Sequence, residues 1–277
     1  MQREDHLELI AVLTELWGLF EQLAIVKPGA SLIQPPSHTG IHPHTSFHAD
    51  VARAAGFSPT AVAVMSALPY LHDSEPDMGR KAVEIDIETF SLSYLHLEED
   101  NQFEDLREIA YDQENIMPPS DVRLTWQLVN GWEYIYNTEK RLVYVWNPIN
   151  DDHNDYLRLE PVSPRNAFQP LIENFRGLRH LALPERQFVR NDPARTPRMQ
   201  PHGIAALHEA ETKLWRATCG LADLYLETGW DVNSVAQTNF RTSDFIRKRA
   251  KYTQEVLGPL EDEAYRAREN AQKLHKV

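Results

Sequence analysis

Residues 122–146 leave this chain little choice but antiparallel β-structure. Val122, Leu124, Trp126 and Leu128 alternate with Arg123, Thr125 and Gln127. This two-residue period puts one face of a strand in a core and the other against polar surroundings. Asn130-Gly131 follows, a pair suited to the left-handed backbone of a tight hairpin. Trp132, Tyr134 and Tyr136 resume the alternation, and Asn137-Thr138-Glu139-Lys140 turns the chain again. Leu142-Val143-Tyr144-Val145-Trp146 is apolar on both faces and reads as a central strand. The whole predicts an antiparallel meander over about 120–160.

On either side the period becomes helical. Leu9, Ile10, Leu13, Leu16, Trp17, Phe20 and Leu23 predict a helix capped by Asp5 and stopped at Lys27-Pro28-Gly29. Residues 28–46, with four prolines and two glycines, predict a loop. Thr45 or Ser46 then caps a short helix to Gly56, and Ser58-Pro59 starts another, ended by Leu68-Pro69. Val83, Ile85 and Ile87 alternate with Glu84, Asp86 and Glu88, but Phe90, Leu92 and Tyr94 continue on even positions. That change of face predicts a bulge or bend near Thr89. Ser163-Pro164 opens a helix to about Phe175. Residues 184–201, with four prolines, predict a long loop. A long helix from Leu207 to Tyr225 ends at Gly229, another runs from Phe240 to Leu257, and Gly258-Pro259 sets off a charged terminal one. The predicted class is α+β: a central antiparallel meander flanked by N-terminal and long C-terminal helices. Residues 1–183 form the expected core domain, and 202–277 a helical region expected to pack on the same core.

The formal net charge of −13 argues against a nucleic-acid interface and an anionic membrane surface, because phosphate repels an acidic protein. The single cysteine, Cys219, forbids an internal disulfide and fits a reducing, cytoplasmic location. It lies in an amphipathic helical pattern, which favours burial over nucleophilic use. No apolar run reaches the ~18 residues of a membrane span. Arg247-Lys248-Arg249 with Lys251 is a small basic patch, read as a solvated helix face or a nuclear-import signal. Gly-x-Ser-x-Gly, Gly-x-Gly-x-x-Gly and phosphate-loop signatures do not occur, so no cofactor is implied.

The densest set of chemically capable side chains is His38, His42, His44 and His48, four histidines in eleven residues. Gly40 and Pro43 prevent one continuous helix across them, so this is not a zincin element. A metal site here would draw on His42, His44 and His48 with Asp50, although no metal is favoured. The plainer expectation is a Pro/His loop laid on the core, its imidazoles bonded to backbone. His48-Ala49-Asp50 also has the H-x-D form of a facial iron triad, with His153 or His180 as distal ligand. A helical continuation in place of a barrel strand speaks against that reading. Asn150-Asp151-Asp152-His153-Asn154-Asp155 lacks the glycine of a calcium loop. Trp132, Tyr134, Tyr136 and Tyr144 are candidate binding-face aromatics on the sheet, with core packing the expected role for most of them.

Pro35-Pro36-Ser37-His38-Thr39-Gly40-Ile41-His42-Pro43 resembles the PPHTGPH-type loop of a group of uncharacterised proteins from filamentous fungi. Ala67-Leu68-Pro69-Tyr70-Leu71 and Gly229-Trp230-Asp231 resemble further short motifs of that group. Ser37 interrupts the loop pattern, and no proline follows Trp230. The strand Leu142 to Trp146 and the helix from Ser163 resemble, more distantly, Smi1/Knr4-like (SUKH) modules, which are protein-binding scaffolds. Two functions stay open. One is a non-catalytic binding protein for another protein or a small ligand, with His38, His42, His44, His48, Trp132 and Tyr134 as ligand-binding candidates. The other is an enzyme with a histidine-lined pocket around residues 35–50, its histidines acting as acid–base groups or holding a metal, compatible with fungal secondary metabolism.

Overall fold

A computed structural model describes residues 3–26, 29, 31–71, 83–109, 112–149, 151, 155–183, 186–191 and 205–274. The fold is α+β, with small antiparallel sheets and a long C-terminal helix. Its elements are α1 (Leu7–Gln22), β1 (Leu32–Ile33), α2 (Ala49–Ala54), α3 (Pro59–Met65), β2 (Tyr70–Leu71), β3 (Glu84–Asp86), β4 (Thr89–Ser91) and α4 (Asp100–Asp105). Then come β5 (Glu108–Ile109), β6 (Asp112–Ile116), β7 (Asp121–Arg123), β8 (Thr125–Gln127), β9 (Glu133–Asn137), β10 (Leu142–Trp146) and α5 (Pro164–Arg176). The chain ends with β11 (His180–Leu183), β12 (Arg186–Arg190), α6 (Ala205–Cys219), α7 (Leu221–Glu227), α8 (Thr242–Tyr252) and α9 (Gly258–Leu274). Contacts divide it into two compact units, 1–173 with 184–188, and 174–183 with 189–277.

In the first unit α1 buries Leu9, Leu13, Leu16, Trp17 and Phe20. It ends earlier than Lys27-Pro28-Gly29, because Ala24 takes a left-handed φ of 51°. Ala24 N–H then bonds to Glu21 O and Ile25 N–H to Phe20 O, the paired bonds that close a helix C-terminus. The N-cap is His6 rather than Asp5; Asp5 instead pairs with Arg141 at 3.1 Å. Ser58 caps α3, its side chain accepting from Ala61 N–H, with Pro59 in the first turn, as its sequence dictates.

The sheet differs from a simple meander. β7 and β10 flank β9 in one antiparallel sheet, with Val122 opposite Tyr136 and Val143 opposite it on the other side. β8, only one residue beyond β7, pairs with β4 in a second sheet. The central strand is therefore β9, all of whose residues are buried, and β10 is an edge. Its two-sided apolarity reflects cover by other elements: Val162 bridges to Val143, and Tyr156 packs on Tyr144 and Trp146. Ile109, Met117, Ile135, Tyr144, Trp146 and Tyr156 form one continuous core cluster. The bulge or bend expected near Thr89 is the turn of a hairpin, β3–β4, at Ile87-Glu88, where Glu88 has φ 51°.

In the second unit the single helix expected over 207–225 breaks at Gly220 into α6 and α7. A Cβ on Gly220 would stand 2.8 Å from the Tyr252 hydroxyl. Tyr225, Trp230, Phe240 and Phe245 pack as an aromatic core. Gly229 (φ +97°) turns the chain there, where a side chain would strike Asn239 O. The basic patch is spent locally: Arg247 pairs with Asp244, Lys248 with Glu227 and Lys251 with Glu255, and Arg249 lies over Phe245. Gly258-Pro259 does not separate two helices. Thr253–Leu257 is a π-helical turn that carries α8 directly into α9. Residues 186–190, expected as loop, are strand β12. Of the rest of that stretch, 184–185 and 192–201 lie outside the described residues.

Candidate functional site

Of the four histidines in the 35–50 loop, His42 is the one that anchors it to the core. His42 N–H bonds to Ser66 O (2.7 Å), and its Nε2–H donates to Leu68 O (2.8 Å). The ring leans on Tyr70 at 5.5 Å, whose hydroxyl donates to Met65 O (2.6 Å). His42 therefore staples the loop to the end of α3, and it is buried. Burial lowers its pKa, with the Leu68 bond opposing. Gly40 (φ +68°) supplies the turn before it, and His38 is exposed at the bend.

His44 and His48 do meet, with ring centroids 5.7 Å apart, and His44 Nε2 lies 3.3 Å from Asp50 Oδ1. They meet at the surface: the His44 and Asp50 side chains are 73% and 66% exposed. The Asp50 pKa is lowered, chiefly by its own backbone N–H at the start of α2. Among the described residues no group of three or more His, Cys, Asp or Glu is placed to hold a metal. His153 lies outside the described residues, as do Asn150, Asp152 and Asn154, and His180 is buried against Phe175.

Protonation of His42 should be visible in stability. Its folded pKa lies below the unfolded value, so its contribution is present above that value and is lost as pH falls through the window beneath it. His6 is lowered too, first by burial and then by Arg141, and its Nδ1 is hydrogen-bonded to the Tyr136 hydroxyl at 2.7 Å. Urea unfolding at about pH 7.5 and 5.5 should show a smaller acid loss for His42→Gln than for the native chain. Equal losses would refute this assignment.

Of the two roles open to the sheet aromatics, most take core packing. Tyr134, a candidate for a binding face, is buried and stacked on Phe168 at 4.8 Å, because β9 is covered on both faces. Tyr136 and Tyr144 are buried as well. Trp132, in the turn before β9, stays half-exposed.

Charged side chains lie inside the sheets around Glu133 and around Asp121. Glu133 is 2% exposed and faces Arg123 at 3.4 Å; Gln127 donates to it at 3.4 Å. Burial raises the Glu133 pKa against the pull of Arg123. The Arg123 guanidinium also donates to Glu108 O. A recess beside it, between Leu13, Trp17, Tyr70 and Tyr94, measures about 10 Å³, room for one water and too little for an organic ligand. Asp121, fully buried, accepts from the Tyr156 hydroxyl (2.6 Å), Asn137 Nδ2 (2.5 Å) and Ser120 Oγ (3.2 Å). These partners knit β7 to β9 and to the turn at Tyr156, which makes the network structural.

The feature that faces outward is the joining of three turns at one end of the two sheets. Leu128 N–H bonds to Glu88 O (2.9 Å), and Asn130 N–H to the Glu88 carboxylate (2.7 Å). Trp132 N–H bonds to Thr89 Oγ1 (2.7 Å). Asn147 Nδ2 donates to Asn130 O (2.9 Å), and its backbone N–H to Asp151 (2.7 Å). On these braced turns Ile87, Leu128, Val129 and Ile149 are 39–56% exposed. The alternation of β8 placed Leu128 on a buried face, but the strand stops at Gln127 and leaves it outside. The sequence signal was the pair Leu128-Val129 next to Asn130-Gly131: apolar residues beside turn formers have no strand to bury them.

Comparison with protein-family models, curated proteins and solved structures finds no match to this chain. Among the described residues, no helix is long and apolar enough to cross a membrane.

Proposed function

We propose that this is a non-catalytic binding protein that holds another protein on the braced turns carrying Ile87, Leu128, Val129 and Ile149, with Trp132 beside them. The observation that carries the reading is the combination of rigidity and apolar exposure. Hydrogen-bonded turns lose little conformational freedom on binding, so more of the contact energy appears as affinity. Side chains that cost solvation when uncovered mark a surface meant to be covered. The reading includes a cytoplasmic location, supported by the single cysteine, and excludes nucleic acid, supported by the net charge of −13. Kinship with the fungal group, through the loop 35–43, is part of the same proposal.

The test compares tagged native protein with Val129→Asp/Ile149→Asp in the retention of proteins from a cell extract. Both positions lie in exposed turns, so folding stability should change by no more than about 0.5 kcal/mol. A protein retained by the native chain and lost by the variant is the expected result. Identical retention by the two would refute the reading.

A further inference from the structure

The three turns are not neutral. Among their described residues, Glu88 and Asp151 carry partly exposed carboxylates. Glu88 and Asp151 both accept hydrogen bonds from neutral amides, those of Asn130 and Asn147, which leaves their negative charge in place. Apolar side chains therefore share these turns with two carboxylates, on a chain whose net charge of −13 repels a second copy of itself.

We infer that the partner of this surface is a basic polypeptide segment in which lysine or arginine is interleaved with apolar residues. The inference rests on the binding reading above and names the partner's chemistry. Apolar side chains of the segment cover Val129 and Ile149, and its cations face Glu88 and Asp151. Complementary charge of this kind selects the partner and speeds encounter, while the apolar contact holds it.

Two synthetic peptides of about 18 residues, five helical turns, test this. One carries leucines on one face and lysines on the other; the second has glutamates in place of the lysines. Each is titrated by fluorescence anisotropy into the native protein, Val129→Ser/Ile149→Ser and Glu88→Gln/Asp151→Asn. The amide variants keep the oxygens that brace the turns. The lysine peptide should bind the native chain about tenfold more tightly than the serine variant, a 1.4 kcal/mol difference. It should lose about threefold with the amide variant, and more of its affinity should vanish with added salt in the native chain. The glutamate peptide should not bind. If both peptides bind equally and both lose affinity with the serine variant, the basic partner is overturned and the binding surface stands. If neither peptide distinguishes the serine variant from the native chain, both are overturned.

Discussion

Replacing Asp121 by alanine is expected to cost the fold about 4 kcal/mol, because it leaves several buried donors without an acceptor. The Tyr156 hydroxyl and Asn137 Nδ2 both end on this carboxylate, and Ser120 Oγ adds a third bond. The loss spreads through Asn137, whose Oδ1 accepts from the backbone N–H groups of Glu139 and Lys140 and so shapes the β9–β10 turn. It also spreads through Tyr156, which packs in the core with Ile135, Tyr144 and Trp146. Asp121→Asn keeps an acceptor and should cost about half as much. The two variants also separate charge from hydrogen bonding. Burial raises the Asp121 pKa, outweighing the bonds that favour its ionised form. The folded chain thus keeps its proton to higher pH than the unfolded chain. Stability accordingly falls as pH rises from the ordinary carboxylate value through the raised one. That fall should be smaller in Asp121→Asn. Glu133, shifted in the same direction, is common to both chains and cancels in the difference. Urea unfolding across the acid range measures both effects. A cost for Asp121→Ala below about 1 kcal/mol would show the network to be dispensable.

Gly131→Ala should be nearly as damaging, at about 3 kcal/mol, because the added methyl meets backbone that cannot yield. It would overlap the Glu88 carbonyl oxygen and stand 2.7 Å from the Glu88 carbonyl carbon and 2.8 Å from Gln127 Cβ. Relief requires parting the β3–β4 turn from the turn before β9, which breaks the bonds from Leu128 and Asn130 to Glu88. The same substitution at Gly18 is the internal control. Gly18 lies within α1 with nothing inside 4 Å of its missing Cβ, and alanine there should stabilise by about 0.5–1 kcal/mol. Denaturant midpoints of the two variants check the pair. Equal small effects would mean the turns are not locked together, and the proposed binding surface would lose its rigidity.

Local chemistry was legible in the sequence; pairing was not. Ser58-Pro59 and Ser163-Pro164 start helices where capping and the missing proline N–H say they should. Asn137 to Lys140 turns the chain between two paired strands. The errors arose where a partner distant in sequence decides. Thr125 to Gln127 continues the alternation of Asp121 to Arg123, yet β4 draws it into another sheet. Leu142 to Trp146 looked central because both faces are apolar, but apolarity reports cover and not position in a ladder. Glu88 adopts a left-handed φ without being glycine, so its turn carried no composition signal. The histidine loop was legible as a loop. That His42 alone enters the core depends on Ser66 and Leu68, which no spacing reveals.

The π-helical turn at Thr253–Leu257 acts as a dial. One residue more or less in a helix swings everything beyond it by about 100° around the axis. From the last residue of this turn onward, Leu257, Ala264 and Ala271 are buried at seven-residue intervals, and α6 packs along α9, tied by Lys213 to Glu263 and Arg268 to Glu211. A substitution within 253–257 alters one side chain. A single-residue deletion there would rotate a seventeen-residue helix and turn its charged flank toward α6. At this joint the chain is constrained more by its length than by its letters.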